Sequence, residues 1–214
     1  MGCTYEVVTK QKSFIGNQNK ERKMRTILRA TVLAPLWMIV AGGAALAFEM
    51  TPATQAEIDK HKTLIAGWAA DPVIVSAVKD QNGKGPIPAM DNPKWKTTRR
   101  SDAIVKAFQD NPVGKMLKAK LEASGGVYTE AFLSAAQGEK VAFAEKTTSY
   151  IHVGQPKFDV PFTTGKSWQG KPEFDESAQT YQLQISAPVV ADGKSIGALV
   201  VGVSLAQLDK AGKK

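Results

Sequence analysis

The 214-residue chain holds one cysteine, Cys3, and two histidines, His61 and His152. With Cys3 at the extreme N-terminus, the rest of the chain can form neither a disulfide nor a c-type haem attachment. Its fold must stand on its core alone. No H-x-x-x-H or C-x-x-C spacing supplies the converging ligands of a zinc site. A hydrolase triad needs a nucleophile, a base and an orienting acid, most often built around His. Ser149 lies near His152 in sequence, but no nucleophile-elbow pattern surrounds it. A glycine-rich phosphate loop and a dinucleotide fingerprint are also missing. Glu173, Asp175 and Glu176 have the chemistry for a hard cation, although acidic runs of this kind usually belong to a solvated loop. No cofactor and no enzymatic activity are therefore expected, and His152 is the one candidate base if a periplasmic hydrolase is kept as an alternative.

A dense basic stripe is absent too. The formal charge is +8, but seven Lys/Arg and two Asp/Glu lie in residues 1–47, which leaves 21 basic and 18 acidic residues from Phe48 onward. A body of net +3 gives no nucleic-acid footprint, and no nucleic-acid partner is expected. The charge belongs to the leader. From Met24 it reads "MRTILRATVLAPLWMIVAGGAALAFE", with Arg25 and Arg29 ahead of an uncharged run from Ala30 to Phe48. Ala45-Leu46-Ala47 meets the small-x-small rule, so residues 24–47 read as a secretory signal peptide. The alternative is an uncleaved membrane anchor, since the run is just long enough to span a bilayer. Residues 1–23 form a polar extension, read as a mis-assigned start or a long n-region. The expected location is periplasmic or secreted.

After a linker at 48–54, Ile58, Ile65 and Trp68 recur at helical spacing. Asp71-Pro72 and Asn111-Pro112 each pair a capping residue with proline at the first helical position. Ser101 or Asp102 caps a further helix with Ile104, Val105 and Phe108, and "NGKGPIPAMDNPKWK" reads as loop. The period then shortens to two. "VYTEAFL" and "KVAFAE" flank a glycine-containing turn, and "TYQLQISAPV" puts Leu183, Ile185, Ala187 and Val189 on one face, with Gln184 and Ser186 on the other. Asp192-Gly193 suits a two-residue primed turn, which pairs Val189 with Ile196, Ala187 with Ala198 and Ile185 with Val200. "SIGALVVGVSL" has no polar face and belongs at the centre of a sheet. Helices first and antiparallel strands after them make an α+β fold.

Between the hairpins lies "TTSYIHVGQPKFDVPFTTGKSWQGKPEFDESAQ", rich in proline and aromatics. Irregular segments of this length are often binding or lid segments. Tyr150, Phe158 and Trp168 are candidate pocket walls, Lys157 a partner for a carboxylate and Asp175 a partner for an amine. The same aromatics, with Phe162, would equally serve as anchors holding the loop to the sheet. Gln184 and Ser186 face this segment from the strand. A buried amide and hydroxyl need partners, whether ligand or ordered water.

The order "DPVIVSAVKDQN", "YTEAFLSAAQGEKVA", "SYIHVGQPKF", "GKPEFDES" and "ISAPVVADGKSIGALVVGVSL" resembles the extracytoplasmic Cache (PDC) sensor family over most of residues 55–208. That resemblance implies a PAS-like fold: a long N-terminal helix on a five- or six-stranded antiparallel sheet, with a small ligand between sheet and overlying loops. It also implies that Tyr150 and the Lys157-Phe158 region lie in the pocket loop and that Asp175 occupies a polar position before the fifth strand. Only "AQLDKAGKK" follows the last apolar strand, ending in a basic tail at 209–214, so the expectation is an exported sensor without its own output. Its implied partners are a small polar ligand (an amino acid or small organic acid), a membrane histidine kinase or chemoreceptor, and a second copy through the N-terminal helix. A structural protein of the cell envelope is the alternative.

Overall fold

The computed structural model describes residues 48–176 and 180–211. The expected signal peptide and the end of the basic tail lie outside them. Among the described residues no helix is long and apolar enough to cross a membrane.

A capping side chain followed by proline starts helix after helix. Thr51 caps α1 (Pro52–Ala69), Asp71 caps α2 (Pro72–Lys84), Asp91 caps α3 (Asn92–Thr97) and Asn111 caps α5 (Pro112–Ala123), each accepting a bond from a first-turn backbone N–H. Between α3 and α5, α4 spans Ala103–Asp110. The device works because proline has no N–H to leave unpaired in the first turn, while the capping oxygen satisfies one that is. Two expectations shift. α1 opens at Pro52, inside the expected linker, and α3 forms within the expected loop, where its buried Trp95 anchors it.

The strands are β1 (Tyr128–Ala135), β2 (Lys140–Phe143), then, beyond the helix α6 (Pro156–Thr164), β3 (Trp168–Gln169), β4 (Glu173–Asp175), β5 (Thr180–Ala191) and β6 (Lys194–Ser204). Helix α7 (Leu205–Ala211) follows directly. The sheet is antiparallel in the order β2-β1-β6-β5-β3, with β4 also pairing β5. This is the α+β, PAS-like arrangement expected, with the all-apolar β6 central. The irregular middle is more ordered than expected. Pro156 starts α6 instead of breaking it, and left-handed Gly165 (φ 67°) closes it.

Pleating sorts the side chains. Ala131, Leu133, Leu183, Ile185, Ala187, Leu199, Val201 and Val203 face Ile58, Ile65, Ile74, Val78 and Leu117 from the helices. The opposite face holds Phe132, Phe143 and Val200 against Trp95, Val105 and Tyr150, with α6 packed across β5 and β6.

The last hairpin turns at Asp192 and Gly193, both with positive φ (52° and 73°), as a primed turn requires. Its register differs from the expected one. Ile185 pairs with Val201, Ala187 with Leu199 and Val189 with Gly197, because a bulge between Val189 and Val190 takes up one residue. The slip puts Gly197 under α2, where a Cβ would lie 2.4 Å from the Ser134 carbonyl oxygen and 2.9 Å from Val78 Cγ1. Gly197→Ala is therefore expected to destabilise the domain by about 1–3 kcal/mol through overpacking. Urea unfolding should show a lower midpoint at unchanged m, and an unchanged midpoint would contradict the close approach.

Candidate functional site

On the α6 side of the sheet, polar side chains gather among the apolar ones. Glu130, Phe132 and Ser134 point there from β1, and Lys140 on β2 pairs directly across from Ser134. From β5 come Gln184 and Ser186, cross-strand neighbours of Gly202 and Val200. Phe132 neighbours Val200 from the other side, so Phe132, Val200 and Ser186 form one row across three strands.

The segment carrying His152 is fastened over this face by its backbone. Asn92 Oδ1 accepts from the N–H groups of Tyr150 and Ile151 at 2.8 Å, while its Nδ2 donates to the Ile151 carbonyl at 3.0 Å. His152 N–H donates to the Gly138 carbonyl at 2.9 Å, and Glu139 bridges Ile151. The docking needs glycine at 138: its φ is 74°, and a Cβ would lie 2.5 Å from Val153 N.

Lys140 is the centre of the site. Its side chain is fully buried, with Nζ 3.1 Å from the Phe132 ring centroid and 3.5 Å from His152 Nε2. It makes no salt bridge to any described residue. Lys157, half-buried on α6, places its own Nζ 5.7 Å from the same ring. Burial drives the Lys140 amine well below the ordinary lysine range, and the Lys157 charge adds to this while Glu130 opposes it. His152, 2% exposed, is pushed down to about 2, first by burial and then by the charges of Lys140 and Lys157. Several buried polar atoms have no hydrogen-bond partner: Ser134 Oγ, Ser186 Oγ, His152 Nδ1 and Glu139 Oε1.

Towards the β5 edge, Gln184 Nε2 donates to Glu130 Oε1 in a short contact over Gly202. A Cβ on Gly202 would meet Glu130 Cγ at 2.7 Å, so the glycine makes room for this bridge. Beyond it a cavity of about 380 Å³ is lined by Pro156, Trp168, Gly170, Lys171 and Gln184 among others. A larger groove of about 720 Å³ lies between α2 and the α4–α5 corner. None of the orphaned polar atoms lies on the wall of either cavity; those of Ser134 and Ser186 sit on the α6 face of the sheet.

The expected site residues divide as follows. His152, Lys157 and Phe158 come to this face, with Phe158 stacked on Phe162 at 5.1 Å. Gln184 and Ser186 point to it from β5, and Trp168 sits across from Ser186. Tyr150 is wholly buried: its hydroxyl accepts from Ile87 N–H at 2.9 Å and its ring packs on Trp95, so it is a core wall beneath the site. Asp175 is not brought in. β4 pairs with residues 180–182, and the Asp175 carboxylate accepts from Gln182 at 2.9 Å. That is roughly 20 Å along β5 from Ser186, at about 3.3 Å per residue. Lys140, Phe132, Glu130, Ser134 and Asn92 were missed, and the signal that could have found them is a lysine set beside apolar strand residues in "KVAF".

Among the described residues no group of three or more His, Cys, Asp or Glu could hold a metal ion. No protein-family model matches the chain, and no curated protein matches it. Solved structures do. The ligand-binding domain of the Campylobacter jejuni chemoreceptor Tlp3 in complex with L-valine matches at 15% identity and a TM-score of 0.39, covering 78% of this chain and 69% of that one. The Pseudomonas aeruginosa PAO1 amino acid chemoreceptor PctC, in complex with GABA, matches at 13% and 0.41, covering 75% and 61%. The sensor domain of the V. cholerae histidine kinase DctB matches at 14% and 0.37, covering 75% and 60%. The chain is thus similar, at 13–15% identity, to sensory domains of chemoreceptors and of a histidine kinase.

Proposed function

We propose that this domain is an exported sensor that binds a small carboxylate-bearing molecule on the α6 face of its sheet, between Lys140 and Lys157. A single observation carries the reading: two lysine amines share the face of Phe132, and neither has a salt-bridge partner among the described residues. An uncompensated buried amine is costly to a fold, and groups perturbed by burial and by like charge concentrate at functional sites. A ligand carboxylate supplies the missing negative charge and restores the Lys140 proton. Orphaned Ser134 and Ser186 hydroxyls offer further bonds. No nucleophile–base–acid set accompanies these groups, which favours binding over catalysis. Occupancy then passes to a membrane histidine kinase or chemoreceptor, the partner this reading requires.

Calorimetric titration with small mono- and dicarboxylates and with amino acids tests the proposal. A charge-assisted bond from Lys157 is worth about 1.5–3 kcal/mol, so Lys157→Ala should weaken a carboxylate that binds the wild type by roughly 10–150-fold. An uncharged amide of the same acid should bind no better to the wild type than to Lys157→Ala. Equal carboxylate affinity in both proteins would sink the site as described.

A further inference from the structure

We propose that Lys140 is also a carbon dioxide acceptor, adding CO₂ at Nζ to form a carbamate that Lys157 and Ser134 hold in place. The proposal uses the polar cluster of the sensory site but does not depend on the ligand assigned to it.

Carbamate formation needs an amine with a free lone pair, shelter from water and a partner for the new anion. Lys140 meets the first two by position. Its side chain has no exposed surface, its Nζ lies on an aromatic face, and no described carboxylate pairs with it to hold an ammonium proton. Desolvation of such an amine favours its neutral form. Lys157, with Nζ over the same ring, supplies the cation for the product. The Ser134 hydroxyl, buried without a partner directly across from Lys140, is a donor in want of an acceptor. Glu130 is the one charge bearing on Lys140 that opposes the product, and Gln184 already holds its carboxylate through Nε2. Size favours this reactant as well: CO₂ is linear, uncharged and three atoms long, so it reaches a closed apolar site without shedding a hydration shell.

The step balances. The Nζ lone pair attacks the carbon of CO₂, an N–C bond forms, and one C=O π pair becomes an oxyanion lone pair. The nitrogen then gives up one proton. That proton leaves to the buffer base in solution, because His152 Nε2, 3.5 Å away on a ring held at a pKa of about 2 by burial, does not keep it. The products are a carbamate and one proton, with no oxidant or further reactant.

The test is ¹³C NMR of the full chain equilibrated with ¹³C-bicarbonate at mildly alkaline pH, with trialkyloxonium trapping and peptide mass spectrometry to locate the adduct. We expect a protein-bound carbamate resonance and a trapped adduct on Lys140. Both should be lost in Lys140→Met and reduced several-fold in Lys157→Ala and Ser134→Ala. Absence of the resonance from the wild type, or its persistence in Lys140→Met, overturns the proposal. Carboxylate titrations in CO₂-free buffer separate the two readings: binding there without any carbamate signal removes only this inference, whereas a Lys140 carbamate without carboxylate binding removes only the sensory ligand.

Discussion

Lys140→Met should make the ligand-free domain more stable while removing its ability to bind a carboxylate. The side chain is fully buried with one long contact to His152 as its hydrogen bonding. At neutral pH the folded chain must either strip a proton from the amine or keep a desolvated charge, and both are unfavourable. Methionine keeps the unbranched shape and the contact with Phe132 but has no charge to desolvate. Replacing buried charged groups by apolar ones of similar volume often stabilises by about 1–4 kcal/mol, and a gain of that size is expected in the urea midpoint. Carboxylate affinity should fall by at least about tenfold, the loss of one charge-assisted bond. The two effects have opposite signs, which distinguishes a site residue from a structural one. Loss of stability in Lys140→Met would mean that the amine holds the fold together and that the site is misassigned.

Acid should unfold the domain through His152. Its folded pKa is pushed down to about 2 by burial and by the neighbouring lysine charges, while an unfolded histidine titrates near 6.5. Between these values the unfolded chain binds a proton that the folded one does not. The stability that depends on His152 is therefore complete above about pH 6.5 and falls as pH drops toward 2, by up to about 1.4 kcal/mol per pH unit. Lys140 acts in the same direction in a higher window. Its folded pKa is depressed below the ordinary value of 10.5, so stability keeps rising as pH increases toward that value. Urea midpoints measured from pH 4 to pH 9 should climb throughout. His152→Gln should flatten the acid limb, and Lys140→Met the alkaline one. An acid limb as steep in His152→Gln as in the wild type would assign the acid sensitivity elsewhere.

Much of the scaffold could be read from local chemistry. Asp71-Pro72 and Asn111-Pro112 announce helix starts because a cap and a proline act within one turn. Asp192-Gly193 announces its turn because positive φ is a property of those two residues. Alternation along Thr180–Ala191 placed Gln184 and Ser186 away from the helices because the pleat has a period of two. Where neighbours far away in sequence decide, reading failed. β6 is apolar on both faces, so a one-residue slip changes nothing in its pattern, and only the bulge opposite Gly197 sets its register. Trp95 turns an apparent loop into a helix because it is buried against Phe143 and Tyr150 from other elements.

Lys140 opens the strand "KVAFAE", and nothing in that pattern marks its side chain as buried. By itself the sequence determined the class of fold, the starts of α2 and α5 and the polar face of β5, all of them set by short-range sterics and periodicity. Only tertiary structure decided that Lys140 would be sealed beneath His152, because Asn92 and Gly138 dock residues 150–153 across the sheet and shut out the water that would otherwise solvate the amine.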